Sequence, residues 1–209
     1  MSWSPPRYTS VHNYLLYQAG WFACVLGAAS HRPWTGFLMA ATLLAVHLLW
    51  SSDRHRDARR VMLALAVGAA VEGLQIWAGT YRFTSGTIID RLPPPWLLVM
   101  WAQMATTFDF SLRPIVTRPV AAALFGAIGG PLAFLAGERL GAVTLQRPLT
   151  PGMLLLAFSW TVAMVTFYLV ERARPGIGKP RPRSDTPNAD RDDPSAKATG
   201  TSLALMSRA

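Results

Sequence analysis

Apolar residues in this chain come in long runs, and polar residues come in short bursts between them. Six runs stand out, at 11–30, 34–50, 61–79, 96–111, 119–137 and 151–170. At 1.5 Å per residue, the 19-residue run from Val61 to Gly79 reaches about 28 Å, close to the roughly 30 Å hydrocarbon core of a bilayer. The pattern predicts an all-α fold: a polytopic membrane helix bundle of about six transmembrane helices over 11–171. A proline-broken N-terminal lead, 1–10, precedes it. A basic and polar tail, 172–209, follows without a sustained apolar period and is expected to be disordered and cytoplasmic.

Each run has its own edges. The first ends in L-G-A-A-S like a secretory signal, but its length, the interruptions at Asn13 and Gln18, and the spans that follow favour a retained helix. The linker 31–33 is so short that the first two runs must form an antiparallel hairpin. Trp34 and Trp50 bound the second run, as suits two interfaces. Residues 51–60 read as a charged loop and 80–95 as an irregular surface segment. The fourth run is slightly short and polar at its end, so a five-span alternative would lay it at an interface.

Six crossings put both termini on one side. Arg7, Arg54, Arg56, Arg59, Arg60, Arg113, Arg118, Arg172, Arg174, Lys179, Arg181 and Arg183 fall on that face, and Arg32, Arg82, Arg91, Arg139 and Arg147 on the other. The imbalance places both termini in the cytoplasm.

With 51% hydrophobic and 15% charged residues, composition supports the membrane class. A net charge of +9 would point to nucleic acid in a soluble protein, but the basic residues here sit at the ends of apolar runs, where they fix topology and meet headgroups. No nucleic-acid partner is expected. Cys24 is the single cysteine, which excludes an intrachain disulfide.

Candidate chemistry centres on Glu72, a carboxylate inside an apolar run, where ionisation costs about 2.5 kcal/mol or more without a partner. Gly68, Glu72, Gln75 and Gly79 share one helical face, which must look into the bundle. Gln103, Thr106 and Thr107 on the fourth run complete a candidate intramembrane polar site. Equal depth makes Gln103 the expected hydrogen-bond partner of Glu72. Asn13, Gln18, His47, Asp109 and Ser111 form a second, inner polar level, in which His47 and Asp109 are the one acid–base combination.

Small residues supply the packing signal. Ala122, Gly126 and Gly130 repeat at four-residue spacing, Ala133, Gly137 and Gly141 continue the pattern, and Gly129, Gly130 and Pro131 invite a kink. Glu138 is expected to pair with Arg139 or Arg147, and Asp90 and Arg91 to be solvated. Metalloprotease, serine-hydrolase and Walker motifs are absent from the sequence. His12, His31, His47 and His55 are scattered over both faces, so neither a metal site nor a cofactor is expected. No internal repeat is evident, which counts against the inverted-repeat transporter plan.

Three stretches carry a resemblance: Q-A-G-W-F-A-C-V-L-G-A-A from Gln18, P-x-W-L-L-x-x-W-A-x-x-A-T-T from Pro94, and A-L-F-G-A-I-G-G-P-L-A-F-L-A-G-E-R-L-G-A from Ala123. Over residues 11–170 the chain resembles a bacterial inner-membrane family known as Domain of Unknown Function 2878. The resemblance implies an acid at the Glu72 position. It also implies T-T-L-N-H-S-L where this chain has T-T-F-D-F-S-L, so Asp109 and Phe110 replace an amide and a histidine and weaken any enzyme reading. It implies no established activity; gene neighbours in the family hint by analogy at envelope-lipid work.

The sequence favours a multi-pass inner-membrane protein without catalysis, binding a membrane lipid or another membrane protein. The alternatives are a small proton-coupled transporter or flippase using Glu72, and an intramembrane lipid-modifying enzyme.

Overall fold

The computed structural model of the protein describes residues 10–173; the lead 1–9 and the tail 174–209 lie outside the described residues. Seven helices and one small sheet follow in the order α1 Ser10–Ala29, α2 Pro33–Trp50, α3 Arg54–Trp77, β1 Tyr81–Phe83, α4 Pro95–Ala105, α5 Arg113–Val116, α6 Pro119–Arg139, β2 Val143–Leu145 and α7 Leu149–Arg172. The all-α expectation holds apart from the antiparallel pair, which sets Tyr81 opposite Leu145 and Phe83 opposite Val143.

Local chemistry sets the boundaries. Pro33, Pro95 and Pro119 open α2, α4 and α6, where the missing N–H costs nothing and the fixed φ suits a helix. Helix α3 begins at Arg54, inside the segment expected to be a charged loop. Asp53 accounts for this by accepting a 3.0 Å bond from the Arg56 N–H as an N-cap. At its other end Gly79 takes φ +69°, and its N–H reaches the Ile76 carbonyl at 3.0 Å. Gly79 therefore stops the helix, and its expected place on the α3 packing face is corrected.

The helices pack as a curved row, with α1 on α2, α2 on α4, α4 on α3, α3 on α7 and α7 on α6. Helix α4 lies at the centre and also touches α1; apart from Pro95 and Leu98 all its residues are buried. That placement explains its length. Eleven residues span only about 16 Å, but neighbouring helices rather than lipid surround them, and the backbone beyond Ala105 is free to run in turns through Leu112. The fourth span expected at 96–111 is thus a shorter helix plus turns.

Contacts sort the ends of the bundle. One end gathers the starts of α1, α3 and α6, the end of α7 and the 106–118 turns; we call it the arginine end. The other, the sheet end, holds β1, β2 and the end of α1, where Ser85 Oγ donates to the Ala28 carbonyl at 2.7 Å. Residues 80–95 are only partly surface, since Thr80, Tyr81 and Pro94 are buried.

The outward faces are apolar. On α6, Val120, Leu124, Ile128 and Leu132 recur every four residues and are all more than half exposed. A soluble protein rarely exposes such a stripe. Helices α2, α3, α6 and α7 are each long and apolar enough to cross a membrane. The architecture is that of a helical membrane protein.

Candidate functional site: an enclosed carboxylate behind an apolar cleft

Glu72 is completely buried, as its helical face predicts. One carboxylate oxygen accepts from Trp101 Nε1 at 2.9 Å, and the other accepts from the Tyr81 hydroxyl. Gly68, one turn earlier on α3, makes room for this arrangement, because a Cβ there would run into the Trp101 ring. Tyr81 is held by stacking on Phe134 of α6 at 4.4 Å, and Trp101 by Trp160 of α7 at 4.6 Å.

The expected Glu72–Gln103 bond is not formed. Trp101 and Gln103 are two residues apart on α4, so they point to opposite faces, and only one can meet α3. Gln103 instead faces α1, where its amide fills the space left by Gly20 and its Nε2 reaches the Leu16 carbonyl at 3.4 Å. Gln75 stays beside Glu72 and donates to Ser159 Oγ at 2.8 Å. Thr106 and Thr107 are occupied by carbonyls of their own helix end, Gln103 at 2.7 Å and Met104 at 2.5 Å.

The inner polar level splits. Ser111 Oγ donates to Asn13 Oδ1 at 2.8 Å, and Asn13 Nδ2 donates to the Thr106 carbonyl at 3.2 Å, which ties the start of α1 to the turns after α4. Gln18 stands apart on α1. The expected His47–Asp109 pairing is also corrected. His47 lies 3.3 Å from Asp57, while Asp109 takes Arg60 at 2.5 and 2.9 Å and Arg56 at 2.6 Å. Arg60 also holds Glu171 at 2.9 and 2.5 Å, and it is nearly inaccessible. Burial raises the Asp109 carboxyl, but hydrogen bonds from Arg60 and the charges of Arg60 and Arg56 hold it below the usual carboxylate value. Reading 54–60 as loop and Glu171 as the edge of the tail hid this network in the sequence. An arginine immediately before the apolar run, facing the same way as Ala64 and Gly68, is the signal that could have revealed it.

The small residues of α6 divide between two faces. Ala122, Gly126 and Gly130 are buried; a Cβ on Gly126 would strike the backbone at Trp160–Thr161, and one on Gly130 the Trp160 ring. Gly137 meets Val143 of β2 and also borders the cleft. Pro131 is accommodated within the continuous helix. Gly129 packs against no other helix, since a Cβ there would find only Phe125 of its own helix at 3.8 Å. Glu138 pairs with Arg147 at 3.1 Å, as expected, and Asp90 and Arg91 are exposed.

Gly129, Ala133 and Gly137 line a cleft of about 600 Å³ that lies between α1 and α6 and is floored by α4. Tyr14, Tyr17, Gln18, Ser111 and Leu112 border it toward the arginine end, and Phe83, Trp96, Ala142 and Val143 toward the sheet end. Trp101 and Phe134 are part of its wall, and Glu72 lies behind them. The carboxylate thus holds the Trp101 ring in place rather than meeting an occupant. Among the described residues no His, Cys, Asp and Glu side chains are grouped to hold a metal ion.

A family model described as "Protein of unknown function (DUF2878)" matches residues 10–166. No curated protein and no solved structure matches the chain.

Proposed function

The chain belongs to the DUF2878 family, and from that premise we propose that it is a membrane protein that binds a long-chain amphiphile in the cleft between α1, α4 and α6, without catalysing its conversion. In this reading the chain crosses a bacterial inner membrane six times with both termini in the cytoplasm, and the arginine end faces inward. The cleft is the observation that carries the reading. Its volume falls in the ordinary range for ligand sites, about 300–1,000 Å³, and its walls are mostly aromatic and aliphatic, a surface suited to methylene chains.

A transporter or enzyme reading built on Glu72 is less well supported. Both carboxylate oxygens are engaged by Tyr81 and Trp101, and the aromatic wall separates the acid from the cleft. Proton abstraction needs the base within hydrogen-bond reach of the reacting group.

Photolabelling tests the reading. A diazirine-bearing sixteen-carbon fatty acid, added to the protein in nanodiscs, is expected to label Met100, Met104 or Trp21 on the cleft wall. Leucine at both Gly129 and Ala133 puts side chains into the cleft that these residues line, and labelling there should fall about fivefold or more. Equal labelling of the filled variant, or label confined to outward-facing α6 positions such as Ile128, sinks the reading.

A further inference from the structure

The cleft is not uniform along its length. Its sheet-end half is bordered by Phe83, Trp96, Ala142 and Val143, whose side chains offer no free hydrogen-bonding group except the Trp96 indole, and that donates to the Ser85 carbonyl at 3.1 Å. At the arginine end, Tyr14, Tyr17 and Gln18 border the same cleft, and none of them hydrogen-bonds another described residue. Ser111 spends its hydroxyl proton on Asn13 and keeps its lone pairs. Free donors and acceptors thus cluster at one end of an otherwise apolar slot.

Arginines flank both ends of the slot, with exposed Arg82 beside Phe83 at the sheet end, so the asymmetry lies in which end also offers neutral hydrogen-bonding groups. Leu112 lines the cleft, and Arg113 follows it at the start of α5, exposed. Other arginines at this end are engaged: Arg54 with the Leu49 carbonyl, Arg59 with the His55 carbonyl, and Arg56 and Arg60 in the carboxylate network. Arg113 and Arg118 pair with no described residue. An occupant whose head sits at the arginine end therefore meets neutral hydrogen-bonding groups first and unneutralised positive charge at the rim.

Resting on the reading of the cleft as a chain-binding site, we propose that its occupant is an anionic lipid of the inward-facing leaflet. Its head is hydrogen-bonded by Tyr17, Gln18 and Ser111 and held electrostatically by Arg113, and its tail points toward the sheet. An anionic oxygen accepts from the tyrosine hydroxyl and the glutamine amide, and the guanidinium binds a phosphate or carboxylate by two parallel donors. The opposite orientation would put a charged head against the side chains of Phe83, Ala142 and Val143, none of which can hydrogen-bond it.

Lipid competition in nanodiscs decides the matter. Photoreactive phosphatidylglycerol and phosphatidylcholine with identical diazirine chains are the two probes. Phosphatidylglycerol is expected to label the cleft about fivefold more strongly, with its chain-terminal diazirine near Val143 or Phe83. Gln18→Ala with Tyr17→Phe should lower phosphatidylglycerol labelling about fivefold, and Arg113→Gln should remove the preference for the anionic head. Equal cleft labelling by the two lipids, or a terminal diazirine reacting near Ser111, overturns this inference while leaving the chain-binding reading intact. No cleft labelling by either lipid overturns both. Competition by free inorganic phosphate as effective as that by unlabelled phosphatidylglycerol assigns the arginine-end groups to an ion and overturns the lipid assignment.

Discussion

At Glu72 the amino acids alone specify the direction of the side chain but not its partners. An acid inside an apolar run must face the bundle, and it does. Matching depths by helical rise then favours an amide over the two groups that bind it, since indole and phenol donors look like ordinary apolar residues in sequence. The usable clue is Gly68, one turn away, which leaves a space that only a large ring such as Trp101 fills. The geometry predicts graded costs. In Glu72→Gln the amide keeps both bonds if the Tyr81 hydroxyl turns from donor to acceptor, so a loss of about 1 kcal/mol is expected. In Glu72→Leu the Tyr81 hydroxyl and the Trp101 N–H are both left buried without an acceptor, at about 1–3 kcal/mol each. Unfolding in detergent measures both; a leucine variant as stable as the glutamine variant would show that these bonds contribute nothing.

Among the elements, α6 shows how one sequence signal can hold two meanings. Small residues at four-residue spacing signify close approach of helices in lipid, and for Ala122, Gly126 and Gly130 that is what they provide against α7. Gly129 and Ala133 follow the same spacing one face over and border open space. Spacing cannot tell a seam from a slot, because both need the absence of a side chain. Substitution does. Gly126→Ala pushes a methyl into the backbone of α7 and should cost about 1–3 kcal/mol, whereas Gly129→Ala should change unfolding by less than about 0.5 kcal/mol. Equal effects would mean that the two faces are not distinct. Helix α4 carries a related lesson: its shortness looked like weakness in a membrane setting, and its burial on all sides removes the need for full membrane length.

For the whole molecule, the ion network at the arginine end joins α3, the turns after α4 and the end of α7 through one guanidinium. Residues 49, 53 and 111 positions apart in sequence meet there, which no local pattern predicts. Arg60→Met removes the guanidinium that joins Asp109 to Glu171 while Arg56 still holds Asp109, and should cost about 3 kcal/mol in unfolding experiments. The sign of the pH dependence follows from Asp109. Its folded value lies below its unfolded value, so its contribution is complete above the unfolded value of about 4 and is lost as pH falls through the folded one. Stability measured from pH 6 down to pH 2 should drop on the acid side, and less steeply in Asp109→Asn; parallel curves would exclude the carboxylate as the cause.

The pairing of Tyr81–Phe83 with Val143–Leu145 bears on how the chain can be divided. A break between Thr117 and Arg118 would leave one piece ending after α5 and another beginning with α6, each holding half of a ready-made latch. Co-expressed as separate polypeptides, the halves should find each other and copurify. Replacing Thr144 by proline, which cannot donate to its partner strand, should cut their recovery.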